Sequence, residues 1–180
     1  MGKRSTFERR ERDFYPTPAE AVGPLLRHLE PETPFIEPCA GNGALAEHLG
    51  RAGHRCVCAI DIEPQRYDVN RGDALEIDFF ASGPREHGEV FITNPPWGRR
   101  TLHSLIVHLS DQAPTWLLFD ADWVHTHQAA PFRSRLRRIV SVGRIKWIPG
   151  SPFTGKDNCA WHLFDKPSDD ACAFYMREAA

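Results

Sequence analysis

Apolar and polar positions follow two rhythms along this chain, and glycines and prolines mark where one gives way to the other. Short apolar runs at TPFIEP (33–38), HRCVCAIDIEP (54–64), GEVFITNPPW (88–97) and TWLLFDADW (115–123) have the length of buried strands, and the first three stop at or near a proline. Proline cannot donate to a sheet ladder and fixes φ, so it marks where each strand must end. Between the runs, apolar residues recur at helical spacing. AEAVGPLLRHL (19–29) predicts a helix that Gly23 and Pro24 weaken or bend, after an extended DFYPTP (13–18). CAGNGALAEHLGRAG (39–53) predicts a glycine turn opening into a helix that ends at Gly50 or Gly53. RTLHSLIVHLSDQ (100–112) places Leu102, Leu105, Ile106 and Leu109 on one helical face.

The remaining segments are less regular. VNRGDALEIDFF (69–80) offers a short extended piece, a turn at Gly72-Asp73 and a helical turn. VHTHQAAPFRSRLRR (124–138) predicts a helix interrupted near Pro131, and IVSVGRIKWIPG (139–150) and NCAWHLFDK (158–166) predict two strands joined by the turn-rich GSPFTGKDN. Strand and helix alternate until this final strand pair. That order predicts an α/β, doubly wound parallel sheet with right-handed crossovers and a terminal antiparallel strand pair.

Composition narrows the picture. With 180 residues, 41% hydrophobic and 26% charged, the chain predicts one domain over 13–180 behind a charged, mobile N-terminal dozen (1–12). No run approaches the roughly 18 apolar residues that span a bilayer, and MGKRSTFERRERDF lacks the apolar centre of a signal peptide, so a cytoplasmic protein is expected. Five cysteines without a C-x-x-C pair suggest neither a disulfide framework nor zinc. Cys56 and Cys58, on one face of a predicted strand, read as reduced packing residues. His125-x-His127 is too sparse for a metal site, and no metal is expected.

The net charge of −2 gives no general pull toward nucleic acid, but RSRLRRIVSVGRIK (133–146) holds six basic side chains and no acid. Arg99 and Arg100 form a second basic patch directly after NPPWG. Such patches suit phosphate contacts, although an ordinary solvated helix face would look the same.

In open α/β sheets, ligands bind beyond the carboxyl ends of the strands. Those ends supply EPCAGNG (37–43), Asp61-Ile62-Glu63, Gly72-Asp73 and Asn94-Pro95-Pro96-Trp97, which should converge on one edge. Gly41 and Gly43 let backbone approach a ligand closely, and Asp61, 18 residues past Gly43, suits a ribose diol. On its own this turn fits a nicotinamide dinucleotide as well as another adenosine cofactor.

Taken together, YPTP, EPCAGNG, the acidic strand end, GD and NPPW resemble the S-adenosylmethionine-dependent amino-methyltransferases, and most of all small phage-type DNA adenine-N6 methyltransferases. The resemblance runs from about Asp13 to Trp97, with a weaker echo in SPFTGKDNCAW. It implies a Rossmann-like class I methyltransferase sheet, S-adenosylmethionine as cofactor and DNA as partner. It also implies roles for single residues. Tyr15 and Thr17 would close over the methionine end of the cofactor, and Glu37, Cys39, Ala40 and Gly41 would cradle that end. Asp61 would hold the ribose hydroxyls, Ile62 would pack on the adenine ring, and Asp73 would accept from its amino group. Asn94, Pro95, Pro96 and Trp97 would be the catalytic motif.

The chemistry asks for such residues. An adenine N6 lone pair is delocalised into the ring, and acceptors at the Asn94 side-chain oxygen and the Pro95 carbonyl would favour localising it, with the diproline fixing the carbonyl in place. The base must leave the duplex stack to be reached, and Trp97 would stack on it, with Phe153 as an opposite wall. Trp116, Trp123, Trp147 and Trp161 read as core or edge residues. Arg99, Arg100, Arg135, Arg137 and Arg138 are expected to line the DNA cleft. The chain shows no target-recognition region of obvious size after Trp97, which leaves three alternatives: relaxed specificity, specificity in short loops such as 99–104 and 149–158, or a homodimer or other partner. RNA base amines and protein glutamine amides are alternative substrates, because N-P-P-aromatic names the atom type and not the polymer. A dehydrogenase leaves NPPW unexplained, and a binding module without turnover leaves Asn94 without a task.

Overall fold

The computed structural model describes residues 15–83, 85, 87–150 and 152–177, so the charged stretch 1–12 lies outside the described residues. Eight strands form a single mixed sheet: β1 (Pro34–Glu37), β2 (Arg55–Asp61), β3 (Asn70–Arg71), β4 (Val90–Thr93), β5 (Thr115–Asp120), β6 (Leu136–Gly143), β7 (Cys159–Phe164) and β8 (Ala173–Tyr175). Their spatial order is β3-β2-β1-β4-β5-β7-β6-β8. Strands β1 to β5 pair in parallel, β7 runs antiparallel to both β5 and β6, and β8 pairs in parallel with β6. Every strand except β7 therefore points the same way. The expected antiparallel pair is present as the β6–β7 hairpin, whose turn lies at the carboxyl edge of the sheet.

Alternation with period two sends successive side chains to opposite faces. Phe35, Ile92, Trp116, Leu118 and Trp161 face one cluster, capped by helices α1 (Ala19–Leu26) and α2 (Ala44–Arg51). Ile36, Phe91, Leu117, Phe119 and Ala160 face the other, under helix α3 (Arg99–Ser110). On α3 the predicted Leu102, Leu105, Ile106 and Leu109 are all buried. Each such aliphatic side chain stabilises the fold by roughly 1.5–3 kcal/mol. Trp161, buried on the other face, donates from its indole N–H to the Ala21 carbonyl at 2.8 Å and so ties α1 to the sheet.

The structure departs from the sequence pattern at four places. The helix expected over 124–138 is two 3-10 segments, Ala121–His125 and His127–Phe132, and the chain is already in β6 by Leu136. Pro131 removes an N–H from the middle of the expected helix, and from Leu136 the chain is held in the ladder with β7, with a register irregularity between Leu136 and Arg138. β8 was not expected, since its three residues are exposed and carry no burial signal. The first half of β2 is exposed, Val57 by 41% and Cys56 with it, because β3 pairs only with Ile60 and Asp61 and leaves the rest of β2 at the sheet edge. α1 stops at Leu26, two residues past Pro24.

Candidate active site

At the end of β1 the chain turns sharply. Gly41 and Gly43 have φ of 53° and 73°, values that a Cβ disfavours, and Gly43 is also the N-cap of α2. The Asp61 carboxylate at the end of β2 holds the turn: Oδ2 accepts from the Gly41 N–H at 2.8 Å and Oδ1 from the Glu63 N–H at 2.8 Å. The Ala40 N–H donates to the Ile60 carbonyl at 2.8 Å, and the Gln65 N–H to the Gly41 carbonyl at 3.0 Å. These bonds lace the glycine turn to the β2 end.

Glu37 is buried and its Oε2 accepts from the Ala46 N–H at 2.9 Å, inside the first turn of α2. Burial pushes its carboxyl well above the usual range; the Ala46 N–H pulls it down, the Asp61 carboxylate pushes it up and Arg66 pulls it down. Cys39 is pushed up to about 12 by burial, with Asp61 adding, a Thr93 hydrogen bond opposing, and Glu37 and Asp73 adding. Those interactions put Glu37, Cys39, Asp61, Asp73 and Thr93 within electrostatic reach of one another at the same sheet edge. The Asp73 Oδ1 accepts from the Leu75 N–H at 2.9 Å, and the Gly72 N–H donates to the Asp61 carbonyl at 3.0 Å. Ile62 is 52% exposed beside them.

After β4, Pro95 is buried while Asn94, Pro96 and Trp97 are partly buried. The Asn94 Nδ2 donates to the Tyr15 carbonyl at 3.3 Å, and its Oδ1 accepts from the Trp97 indole N–H at 3.3 Å. Thr17, on the same N-terminal approach, is buried. Trp97 packs edge-on against Trp147, with ring centroids 5.7 Å apart at 83°, and Trp147 lies 6.3 Å from the Tyr15 ring. Trp147 packs against the core under α1 and α2, as expected of a core or edge residue, and also reaches Trp97 and Tyr15. Its segment reads as strand in the sequence, but the chain leaves β6 at Gly143 and the β6–β7 connection bends back over the carboxyl edge. Phe153, the expected opposite wall, is 70% exposed further along that connection.

The expected arginines divide. Arg99 and Arg100 open α3 one residue after the motif and are exposed. The N-cap Gly98 offers no side chain, and the first turn of α3 holds no acid. Two cations at the positive end of a helix dipole oppose helix stability, and Arg99 donates to the Thr126 hydroxyl at 3.5 Å. Arg135, Arg137 and Arg138 lie instead at the start of β6, where Leu136 pairs with Phe164 and Phe164 with Thr115, the opposite edge of the sheet. Arg135 donates to Asp111 Oδ1 at 2.7 Å and to Ser110 Oγ at 2.9 Å. Arg137 donates to the Ser134 carbonyl at 2.8 Å and to the Lys166 carbonyl. Arg138 sits in the ladder opposite Ala173 of β8. The expectation that these three line the site does not fit a helix that is absent and a strand that runs away from them.

Sequence reasoning missed one strand-end residue. Asp120 ends β5 at the same edge, and its carboxyl is raised by burial, opposed by the Asp122 N–H it accepts at 2.9 Å, and raised further by Asp122 and Asp157. The rule that singled out the first four strand ends, carried one strand further, finds it. Among the described residues no group of three or more His, Cys, Asp or Glu could hold a metal, and His125 and His127 lie apart from any such group.

No family model matches the chain, and no curated protein matches it in sequence. Solved structures do. A candidate RNA methyltransferase from Pyrococcus horikoshii superposes with a TM-score of 0.60 at 17% identity, over 86% of this chain and 88% of that one. The chain has the class I methyltransferase fold. It is similar also to the methyltransferase subunit of a type I restriction-modification system from Streptococcus thermophilus, with a TM-score of 0.57 at 11% identity, over 90% of this chain and 47% of that one. A dimethyladenosine transferase from Plasmodium falciparum gives 0.54 at 13% identity, over 87% and 63%. The chain thus spans less than two thirds of the length of these last two. No helix among the described residues is long and apolar enough to cross a membrane.

Proposed function

We propose that this protein transfers a methyl group from S-adenosylmethionine to the exocyclic N6 amine of adenine in DNA. The observation that carries the reading is Asn94, at the end of β4 beside the glycine turn, with its amide orientation fixed from both sides. The Tyr15 carbonyl can only accept, so it selects the NH2 end of the side chain; the Trp97 N–H can only donate, so it selects the oxygen.

The residues present fit the cofactor. Gly41 and Gly43 hold a turn in the left-handed region where a Cβ is disfavoured, and Asp61 commits two of its roughly four lone-pair positions to backbone, leaving acceptors for a diol. Glu37, Cys39, Ala40, Gly41, Gly43, Asp61, Ile62 and Asp73 would hold it, with Tyr15 and Thr17 above. When bound, the cofactor supplies a sulfonium-activated methyl group, so the protein needs no nucleophile of its own. The Cys39 thiol, pushed up to about 12, is kept protonated and out of the chemistry.

What the chain must supply is orientation and acceptors. The Asn94 Oδ1 and the Pro95 carbonyl would accept from the amine hydrogens and favour the lone pair on nitrogen. Pro95 and Pro96 have nearly fixed φ, so that carbonyl needs no reorganisation at the moment of transfer. Trp97 offers a ring face for a flipped base, and Arg99 and Arg100 offer charge to the flanking phosphates. A base amine in RNA is the second reading, favoured by the Pyrococcus neighbour, whose length this chain nearly matches.

Incubation with labelled cofactor and pools of DNA, RNA and protein, followed by nucleoside analysis, tests the assignment. N6-methyladenine in DNA is the expected product; label in RNA or protein, or equal incorporation by wild type and Asn94→Ala, overturns it.

A further inference from the structure

A chain of contacts runs from the Asn94 side chain through Trp97 to Trp147, 50 positions further along the sequence. Both bonds to the Asn94 carboxamide are 3.3 Å, near the long limit for N–H···O, so neither alone would hold it. The Trp97 indole that makes one of them is held in turn by Trp147, whose contact at 5.7 Å and 83° is the favoured edge-to-face arrangement. Trp147 is itself fixed. Its neighbour Lys146 donates its backbone N–H to Glu20 Oε1 at 2.6 Å, and the Gly155 N–H donates to the Ile145 carbonyl at 2.7 Å. A Cβ on Gly155 would stand 3.1 Å from Trp147 Cδ1 and 3.2 Å from its Nε1, so the returning loop approaches the indole closely at that glycine.

We infer that Trp147 is a positioning residue for the amine acceptor, acting through Trp97 to hold the Asn94 side-chain oxygen in place. The inference rests on the reading of Asn94 as that acceptor. A carboxamide oxygen has two lone pairs; the Trp97 N–H takes one and leaves the other for the amine. Without Trp147 the Trp97 indole keeps its packing against the core but loses its edge-on neighbour, and the donor that orients the oxygen is less firmly placed. The β6–β7 connection is thereby coupled to the reacting group through Trp147.

The test compares wild type, Trp147→Ala, Trp147→Phe and Gly155→Ala, with labelled cofactor and unmethylated plasmid DNA. Trp147→Ala is expected to lower kcat about tenfold or more while KM for DNA and cofactor affinity by calorimetry hardly move, since misplacement by ~1 Å costs rate before binding. Trp147→Phe, which keeps an edge-on ring, is expected to recover most of the rate. If Trp147→Ala does not fold, Gly155→Ala displaces the same indole and is expected to lower kcat in the same way. Unchanged kcat in the folded variants, or parallel loss of cofactor binding, overturns the inference. A second readout needs no turnover: the Trp97 indole N–H and Asn94 side-chain amide NMR signals, assigned with Trp97→Phe and Asn94→Ala, should both shift in Trp147→Ala. If wild type methylates nothing, the proposed function falls, and these signals decide the positioning role by themselves.

Discussion

Gly41 donates its backbone N–H to the Asp61 carboxylate at 2.8 Å, so the residue expected to hold the ribose also holds the turn that would receive the rest of the cofactor. Its other oxygen takes the Glu63 N–H. Asp61→Ala leaves two backbone donors without their acceptor, at a cost of about 1–3 kcal/mol each where water cannot replace it. Asp61→Asn offers one acceptor oxygen and turns an NH2 toward the second N–H, so it should recover part of the loss. Thermal melts without cofactor and calorimetry with it should rank wild type above Asn above Ala in both measurements. A variant that melts like wild type but loses cofactor would show that Asp61 serves the ligand alone.

Gly43 makes a sharper case. Its φ is 73°, and a Cβ there would lie 2.7 Å from Arg66 Nη2, the end of a flexible side chain that is paired with Asp68. Gly43→Ala therefore carries two costs, about 1–2 kcal/mol for the left-handed backbone and a smaller one for moving the guanidinium. Adding Arg66→Ala removes the second and leaves the first. The double variant should regain only a minor part of the lost melting temperature; full recovery would mean that crowding, and not backbone conformation, requires the glycine.

Much of this arrangement was legible in the sequence because prolines and glycines punctuate it. Pro38 directly follows β1, Pro64 and Pro95 stand three and two residues past β2 and β4, and the residues between converge on one edge of the sheet. Where the punctuation carried two meanings, the reading failed. The run at 133–138 was charged enough to suggest a helix face, yet Ile139 and Val140 fall on opposite faces of the sheet, the period of a strand. Trp147 reads as a core or edge residue and packs against the core, but its contact with Trp97 was not legible. Whether a tryptophan beyond a strand end lies in the core or over the site depends on which way a hairpin folds back, and that is set by β7 pairing between β5 and β6. No local pattern encodes it.

His162 in β7 is fully buried, stacked on Phe119 with ring centroids 3.9 Å apart, and neither ring nitrogen makes a well-formed hydrogen bond among the described residues, the Leu117 and Ala160 backbone lying near but poorly placed. Burial pushes it down to about 3, with the Leu117 and Ala160 carbonyls pulling weakly the other way. The folded state binds this proton less readily than the unfolded chain, whose imidazole titrates near 6.5. Stability is therefore fully present above about pH 6.5 and declines as pH falls toward 3, by at most ~1.4 kcal/mol per pH unit. His162→Phe removes the unpaired polar atoms and keeps the stack. It should raise the melting temperature at neutral pH by a few degrees, for a gain of about 1 kcal/mol, and flatten the decline below pH 6. An unaltered acid limb would place the titrating group elsewhere.

The two arginine groups should separate by assay as they do in space. Arg99 and Arg100 are exposed at the start of α3, beside the motif, whereas Arg135 is held by Asp111 and Ser110 at the far edge. Arg99→Glu with Arg100→Glu should weaken DNA binding and reduce the slope of log K against log salt by about 0.9 for each phosphate no longer neutralised. The melting temperature should hold or rise, because acids favour a helix N-terminus. Arg135→Glu sets a carboxylate against Asp111, so it should lower the melting temperature while the folded protein binds DNA with unchanged affinity and salt slope. The distinction matters for how a chain with net charge −2 approaches a polyanion. A global attraction would be diminished equally by either substitution, whereas a local one, confined to the edge where Asn94 sits, is diminished by the first alone. Equal salt slopes for the two variants would remove the local reading.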